Sequence, residues 1–230
     1  MNNNNDELDL KTLKGLFITF EGPEGSGKTT VSKKIAELLA REGYVVSYTR
    51  EPGGSDIAEE IRNIILDVNN KKMDSRTEAL LYAASRRQHL IEKIFPALKN
   101  NEVVICDRFL DSSLAYQGYA RGLGIQEVLD INSFAIENKY PDLTIYCDIN
   151  PTLGLQRIYA NKKREINRLD LEVVDFHYKV QEGYKEVINK YQNKGRNFVT
   201  IDASKELNEV INASFAIVLQ AVKEHYESTN

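Results

Sequence analysis

Between Gly22 and Thr29 the chain reads G-P-E-G-S-G-K-T, which fits G-x-x-x-x-G-K-[ST] at every fixed position. Gly22, Gly25 and Gly27 allow backbone angles that a Cβ forbids, so the loop can turn its N–H groups inward around a polyphosphate. Lys28 can reach the β- and γ-phosphates, and Thr29 can ligate Mg²⁺. The residues expected on the donor phosphates are Gly22, Pro23, Glu24, Gly25, Ser26, Gly27, Lys28, Thr29 and Thr30. This pattern indicates a nucleotide but leaves the reaction open.

A second anion site would need cations from several loops. Arg50, Arg62, Arg86 and Arg108 lie in or beside expected strand-end loops or the helices flanking them. By base rate each is a solvated surface arginine. Arg50 and Arg108 stand out because each follows directly on a strand at the edge where ligands bind. Tyr82 and Arg86 are four apart on one expected helix and share a face. A ring beside a guanidinium can stack a base and read its carbonyl edge. A core tyrosine with an exposed arginine fits the spacing equally well.

Positioning these residues takes alternating strands and helices. Leu16, Phe17, Ile18 and Phe20 form a short apolar run before the glycine loop, as in a buried parallel strand. Val31, Ile35, Leu38 and Leu39 follow it at helical spacing, and that helix points its positive end at the bound anion. Further strands are expected at Tyr44–Thr49, at E-V-V-I-C-D, at Leu143–Cys147 and at Asn197–Ile201. Helices are expected between them, including a long one from Arg76 to about Lys99 capped by Ser75. The segment from Asp111 to Gly124 is expected as a loop or broken helix. Five such alternations imply an α/β fold: a five-stranded parallel sheet with helices on both faces. Ligands bind such sheets at the carboxyl ends of the strands. The chain divides into a disordered tail over residues 1–14 and one domain over 15–230. Within that domain, residues 156–170 are rich in positive charge and poor in apolar side chains, which fits a short mobile flap.

Composition narrows the class. The chain is 42% hydrophobic and 28% charged, ordinary for a globular protein. A net charge of −4 offers no general attraction to nucleic acid. No apolar run is long enough to span a bilayer, and the N-terminus has no secretion-signal core. Cys106 and Cys147 each end an apolar run and suit buried thiols better than a disulfide or a zinc site. These features point to a cytoplasmic protein without membrane or nucleic-acid partners.

Three uses of a phosphate loop compete. A GTPase would carry N-K-x-D and D-x-x-G, and neither is present. A remodelling ATPase usually has a larger domain. A nucleotide kinase needs the convergent arginines described above. A nucleoside kinase and an inactive nucleotide-binding regulator also stay open. Against the first stands the number of arginines on the acceptor side; against the second, the occupancy of every phosphate-handling position.

Six segments resemble bacterial thymidylate kinases, in the family's order: F-E-G-P-E-G-S-G-K-T-T, T-R-E-P-G-G, L-L-Y-A-A-S-R-R, D-R-F-L-D-S-S-L-A-Y-Q-G-Y-A-R-G-L-G, Y-P-D-L-T-I-Y and N-R-L-D. They span roughly Leu16 to Ile201, and the D-R-F to G-L-G stretch is the most specific of them. The resemblance implies a nucleoside-monophosphate-kinase fold with a short lid, ATP and Mg²⁺ as cofactors, dTMP as acceptor and a homodimer. It implies that Arg50 and Arg62 bear on the substrate monophosphate and that Arg108 contacts phosphate. Asp107 would hold Mg²⁺ through water. Tyr82 would stack on thymine and Arg86 would read its O4. Ser113, Tyr116 and Gln117 would line base and sugar, and Glu24 would face the deoxyribose hydroxyl or the metal. Members with an acid in the phosphate loop draw a catalytic arginine from the lid. Here Arg157, Arg164 and Arg168 qualify, with Lys162 and Lys163 nearby. The chain departs from the family at Tyr82, where Phe is common, and at Phe109, where Tyr is common.

The implied mechanism needs no general base, because a phosphate oxygen of dTMP is already anionic. That suits a chain with only three histidines, none in a recognisable motif.

Overall fold

The computed structural model describes residues 10–160 and 167–227. Strands β1 (Leu16–Glu21), β2 (Val46–Arg50), β3 (Val103–Asp107), β4 (Leu143–Asp148) and β5 (Phe198–Asp202) form one sheet in the order β2-β3-β1-β4-β5. Every pairing is parallel. The chain winds to one side of β1 through β2 and β3, then crosses to the other through β4 and β5. The end of β1 is therefore the switch point where a crevice opens. The glycine loop begins there.

Nine α-helices are described: α1 (Lys28–Arg41), α2 (Asp56–Leu66), α3 (Ser75–His89), α4 (Phe95–Lys99), α5 (Leu110–Ser113), α6 (Ile125–Ile136), α7 (Pro151–Ala160), α8 (Val174–Gln192) and α9 (Leu207–Glu227). Because strand side chains alternate, the buried strands feed two cores. Leu16, Ile18 and Phe20 of β1 pack with Val31, Ile35 and Leu39 of α1 and with Val218 and Val222 of α9. Phe17 faces the other way, with Leu90, Phe95 and Leu98, Val128 and Ile136 of α6, and Val187 of α8.

Several expectations change in detail. The long helix Arg76–Lys99 is interrupted by a π-helical turn at Leu90–Ile94, just before Pro96. Proline has no N–H to continue the ladder, and a π turn absorbs the mismatch. The cap of that helix is Asp74 rather than Ser75: its Oδ1 accepts the Arg76 and Thr77 N–H groups at 3.0 and 3.1 Å. The polar segment Asp111–Gly124 is mostly helical, as α5 followed by a π turn at Leu114–Ala120. It is buried because its aromatic residues pack on α8.

The expected disordered tail reached residue 14. Leu10–Thr12 instead form a 3₁₀ turn, and Leu10 and Leu13 pack against the second core. Residues 1–9 lie outside the described part. At the flap, α7 extends to Ala160, and Asn167 and Asp170 form a capping box on a 3₁₀ turn at Arg168–Leu171. Residues 161–166, with Lys162, Lys163 and Arg164, also lie outside it.

Candidate active site

The glycine loop is shaped by close backbone approach. Gly25 has φ +74°, and a Cβ there would lie 2.0 Å from the Gly154 carbonyl oxygen of α7. Gly27, at φ +80°, occupies the cap position of α1, so the helix N-terminus opens onto the loop. Lys28 folds back, its Nζ donating to Pro23 O at 3.2 Å.

Two cavities flank this loop and share Glu24, Lys28 and Thr29. The smaller, about 590 Å³, is bounded by Gly25–Val31 and by Arg157, Ile158, Ala203 and Glu206–Leu207. The larger, about 930 Å³, is lined by Arg50, Arg62, Tyr82, Asp107, Arg108, Ser112, Tyr116 and Gln117, among others.

In the larger cavity, strand ends deliver the cations. Arg50 ends β2 and donates to Pro52 O at 2.6 Å and to Glu59 at 3.0 Å. Arg62, from α2, donates to the same Pro52 carbonyl at 3.0 Å. Burial, then the neighbouring Arg50, lower the pKa of Arg62 below that of an ordinary arginine. Two guanidinium groups converging on one carbonyl favour an anion between them. Arg108 follows β3 with φ +71°, a left-handed conformation unusual outside glycine. Its guanidinium meets Glu24 Oε1 at 2.7 Å, Tyr116 OH at 3.2 Å and Ser112 Oγ, Tyr184 OH and Gly22 O at 3.1 Å each.

Thr29 Oγ1 donates to Asp107 Oδ2, while Asp107 Oδ1 is buried without a hydrogen-bond partner. A hydroxyl and an unsatisfied carboxylate oxygen beside a phosphate loop fit Mg²⁺. That ion usually keeps several waters and takes one or two carboxylates plus substrate phosphates. Among the described residues no cluster of three or more His, Cys, Asp or Glu could hold a metal ion alone.

Tyr82 lines the larger cavity, and burial, then Glu78, raise its hydroxyl pKa. Gln117 lines it too, its Nε2 donating to Glu78 at 2.9 Å. Burial opposes ionisation of Glu78, yet Arg121, Gln117 and Arg168 hold its carboxyl below the usual range.

Of the expected site residues, Arg86, Ser113 and Arg168 line neither cavity. Arg86 is 1% exposed, and its donors are spent on Glu51, Ser113, Asn132 and the Phe109 carbonyl. Ser113, with which it bonds, lies behind the wall, and the neighbouring Ser112 faces the cavity instead. Arg168 is drawn away to Glu78 and to Ile65 O at 3.0 Å, anchoring the flap's C-terminal end to α2 and α3. Arg157 is held in the wall of the smaller cavity by the Ala203 and Ser204 carbonyls at 2.8 and 3.1 Å.

Sequence reasoning missed three buried acids that organise the cavity: Glu21, Glu51 and Glu78. Each lies among charged or glycine-rich neighbours that mask it. Glu21 carried a signal nonetheless, an acid closing an otherwise apolar strand.

A phosphate loop at the switch point of a parallel sheet, flanked by two cavities that share its lysine, defines a nucleotide kinase of the phosphate-loop class. A family model described as Thymidylate kinase matches residues 20–213. A thymidylate kinase of Bacillus velezensis is 59% identical over 211 residues, covering 92% of this chain and 98% of the relative. One of Clostridium novyi is 58% identical over 197 residues, covering 86% and 95%. The crystal structure of thymidylate kinase from Ehrlichia chaffeensis superposes with a TM-score of 0.70 at 32% identity, covering 89% of this chain and 98% of that one. The chain belongs to the thymidylate kinase family.

Proposed function

We propose that this protein transfers the γ-phosphoryl group of ATP to dTMP, yielding ADP and dTDP for dTTP synthesis. The observation that carries this reading is the pair of cavities meeting at Glu24, Lys28 and Thr29, with Arg50, Arg62 and Arg108 on one side and Arg157 on the other. The smaller cavity takes the donor nucleotide. The larger takes the acceptor, its monophosphate between Arg50, Arg62 and Arg108 and its base against Tyr82, Tyr116 and Gln117.

In the reaction, an anionic oxygen of the dTMP phosphate attacks the γ-phosphorus in line, and the bond to the bridging oxygen of ADP breaks. No proton need be removed from the nucleophile, so catalysis rests on positioning and charge. Lys28 and Arg108 balance charge on the transferring group, with the flap arginines Arg157 and Arg164. Arg168 acts as an anchor of the flap. Thr29 and Asp107 would hold Mg²⁺, which when bound would supply further charge neutralisation to the phosphates. Closure of the flap excludes water that would otherwise divert the reaction to ATP hydrolysis.

The protein acts as a homodimer in the cytoplasm. Support for the dimer is the run of exposed apolar side chains on three neighbouring helices: Ile57 and Ile64 of α2, Leu80 of α3 and Phe134 of α6, the last 89% exposed. Support for the compartment is two buried free cysteines. Among the described residues no helix is long and apolar enough to cross a membrane.

An ADP-release assay over dTMP, dUMP, AMP, CMP, GMP and thymidine tests the assignment. The expected result is preference for dTMP. Preference for another monophosphate overturns the acceptor, and activity with thymidine alone overturns the monophosphate class.

A further inference from the structure

Arg108 is fixed from an unexpected direction. Glu21, the last residue of β1, is fully buried. Its Oε1 accepts the Phe109 N–H at 2.8 Å and the Ser112 N–H at 3.3 Å. Its Oε2 accepts the Ser112 hydroxyl at 2.5 Å and the Tyr184 hydroxyl at 3.0 Å. Those same two hydroxyl oxygens accept from Arg108 Nη1 at 3.1 Å each.

Proton direction follows from this arrangement. A guanidinium only donates. With Arg108 donating to both hydroxyl oxygens, which lie 2.8 Å apart, at least one hydroxyl proton turns toward Glu21 and the other toward Glu21 or the neighbouring hydroxyl oxygen. The result is an ion pair bridged by two hydroxyls, from Arg108 through Ser112 of α5 and Tyr184 of α8 to Glu21 of β1. Asp111, the other buried acid nearby, is held by Arg196 through two bonds of 2.7 Å. Glu24 meets the far nitrogen of Arg108.

Glu21 also secures the backbone. Arg108 is left-handed, a conformation that is unfavourable for a residue with a Cβ. That conformation persists because the Arg108 N–H donates to Phe20 O at 2.9 Å and the next N–H donates to Glu21.

We propose that Glu21 is the positioning residue for Arg108, holding its backbone through the Phe109 N–H and its guanidinium through the hydroxyls of Ser112 and Tyr184. The proposal rests on the reading that Arg108 acts on phosphate in dTMP phosphorylation.

The test is steady-state kinetics on the full chain for wild type, Glu21→Gln, Tyr184→Phe, Arg108→Ala and the two double variants with Arg108→Ala. Glu21→Gln should lower kcat by roughly ten- to a hundredfold while KM for ATP changes little, the size of loss that misplacement by about 1 Å produces. Each double variant should be no slower than Arg108→Ala alone, because both effects pass through the same guanidinium. Should Glu21→Gln fail to fold, Tyr184→Phe carries the test. It keeps the carboxylate and removes one bridge, and should lower kcat severalfold without adding to Arg108→Ala. An active wild type with multiplicative losses, or an unchanged kcat in both single variants, overturns the role of Glu21 alone. A wild type that does not phosphorylate dTMP overturns the kinase reading and this proposal with it.

Discussion

Arg86 Nε donates to Glu51 Oε2 over 2.8 Å, and neither side chain is more than 2% exposed. The same carboxylate also meets His89 Nδ1 at 3.1 Å. Removing one partner of a buried pair strands the other's charge, which typically costs about 3–5 kcal/mol. Arg86→Ala should therefore destabilise the fold by about that amount in urea unfolding. A variant of near wild-type stability that confuses thymine with other bases would instead return this guanidinium to the cavity.

The contrast between Arg86 and Arg108 explains what was legible in the sequence. Arg50, Arg108, Asp107, Lys28 and Thr29 follow directly on strand ends or on the glycine loop, and connectivity alone brings those positions to the carboxyl edge of a parallel sheet. The five strands were legible for the same reason, as apolar runs between turn residues. Tyr82 and Arg86 share a helix face by spacing, yet one looks into the cavity and the other into the core. What separates them is packing against Glu51 and Asn132, which lie 35 and 46 residues away. Arg168 is drawn off in the same way, by Glu78, which is 90 residues away. Helix breaks at Leu90–Ile94 and Leu114–Ala120 depend on hydrogen-bond register, which side-chain periodicity does not report.

Arg62 shares the Pro52 carbonyl with Arg50, and burial, then the neighbouring Arg50, lower its pKa. If the acceptor monophosphate sits between them, Arg62→Ala should raise KM for dTMP by roughly ten- to a hundredfold, a loss of about 1.4–2.7 kcal/mol in binding, with KM for ATP unchanged. A change confined to ATP would exchange the two cavities.

Gly154 lies in α7, outside the phosphate-loop motif, but a Cβ there would come within 2.4 Å of the Glu24 carbonyl oxygen. The obstacle is backbone, so the loop itself must shift. Gly154→Ala should cost about 1–3 kcal/mol of stability, as overpacking does. It should also raise KM for ATP, because the displaced residue belongs to the loop that wraps the donor. Thermal unfolding and ATP titration read the two effects separately, and a variant unchanged in both would show that the loop yields freely.

Asp107 offers one oxygen to Thr29 and leaves the other unsatisfied. Asp107→Asn keeps the shape and the Thr29 bond while removing the charge. The Mg²⁺ concentration for half-maximal activity should rise about 10–100-fold, the usual consequence of losing a group that orients the ion's shell. An unchanged Mg²⁺ dependence would move the metal away from this carboxylate.

Ionisation of Glu21 runs against its surroundings. Burial first, and Asp111 second, raise its carboxyl from 4.5 to about 7, while Ser112, Arg108 and the Phe109 N–H pull the other way. A carboxyl whose folded pKa lies above its unfolded value stabilises the fold when protonated. Its contribution is complete below about pH 4.5 and is lost as pH rises through about 7. Glu21→Gln is neutral throughout and lacks this dependence. The Tm of wild type minus that of Glu21→Gln should therefore increase as pH is lowered from about 8 to about 5, a difference in which the other carboxylates cancel. A flat difference would mean that Arg108 and the two hydroxyls fully offset the burial. A sloping one identifies a carboxyl whose ionisation, needed to hold the arginine, costs stability.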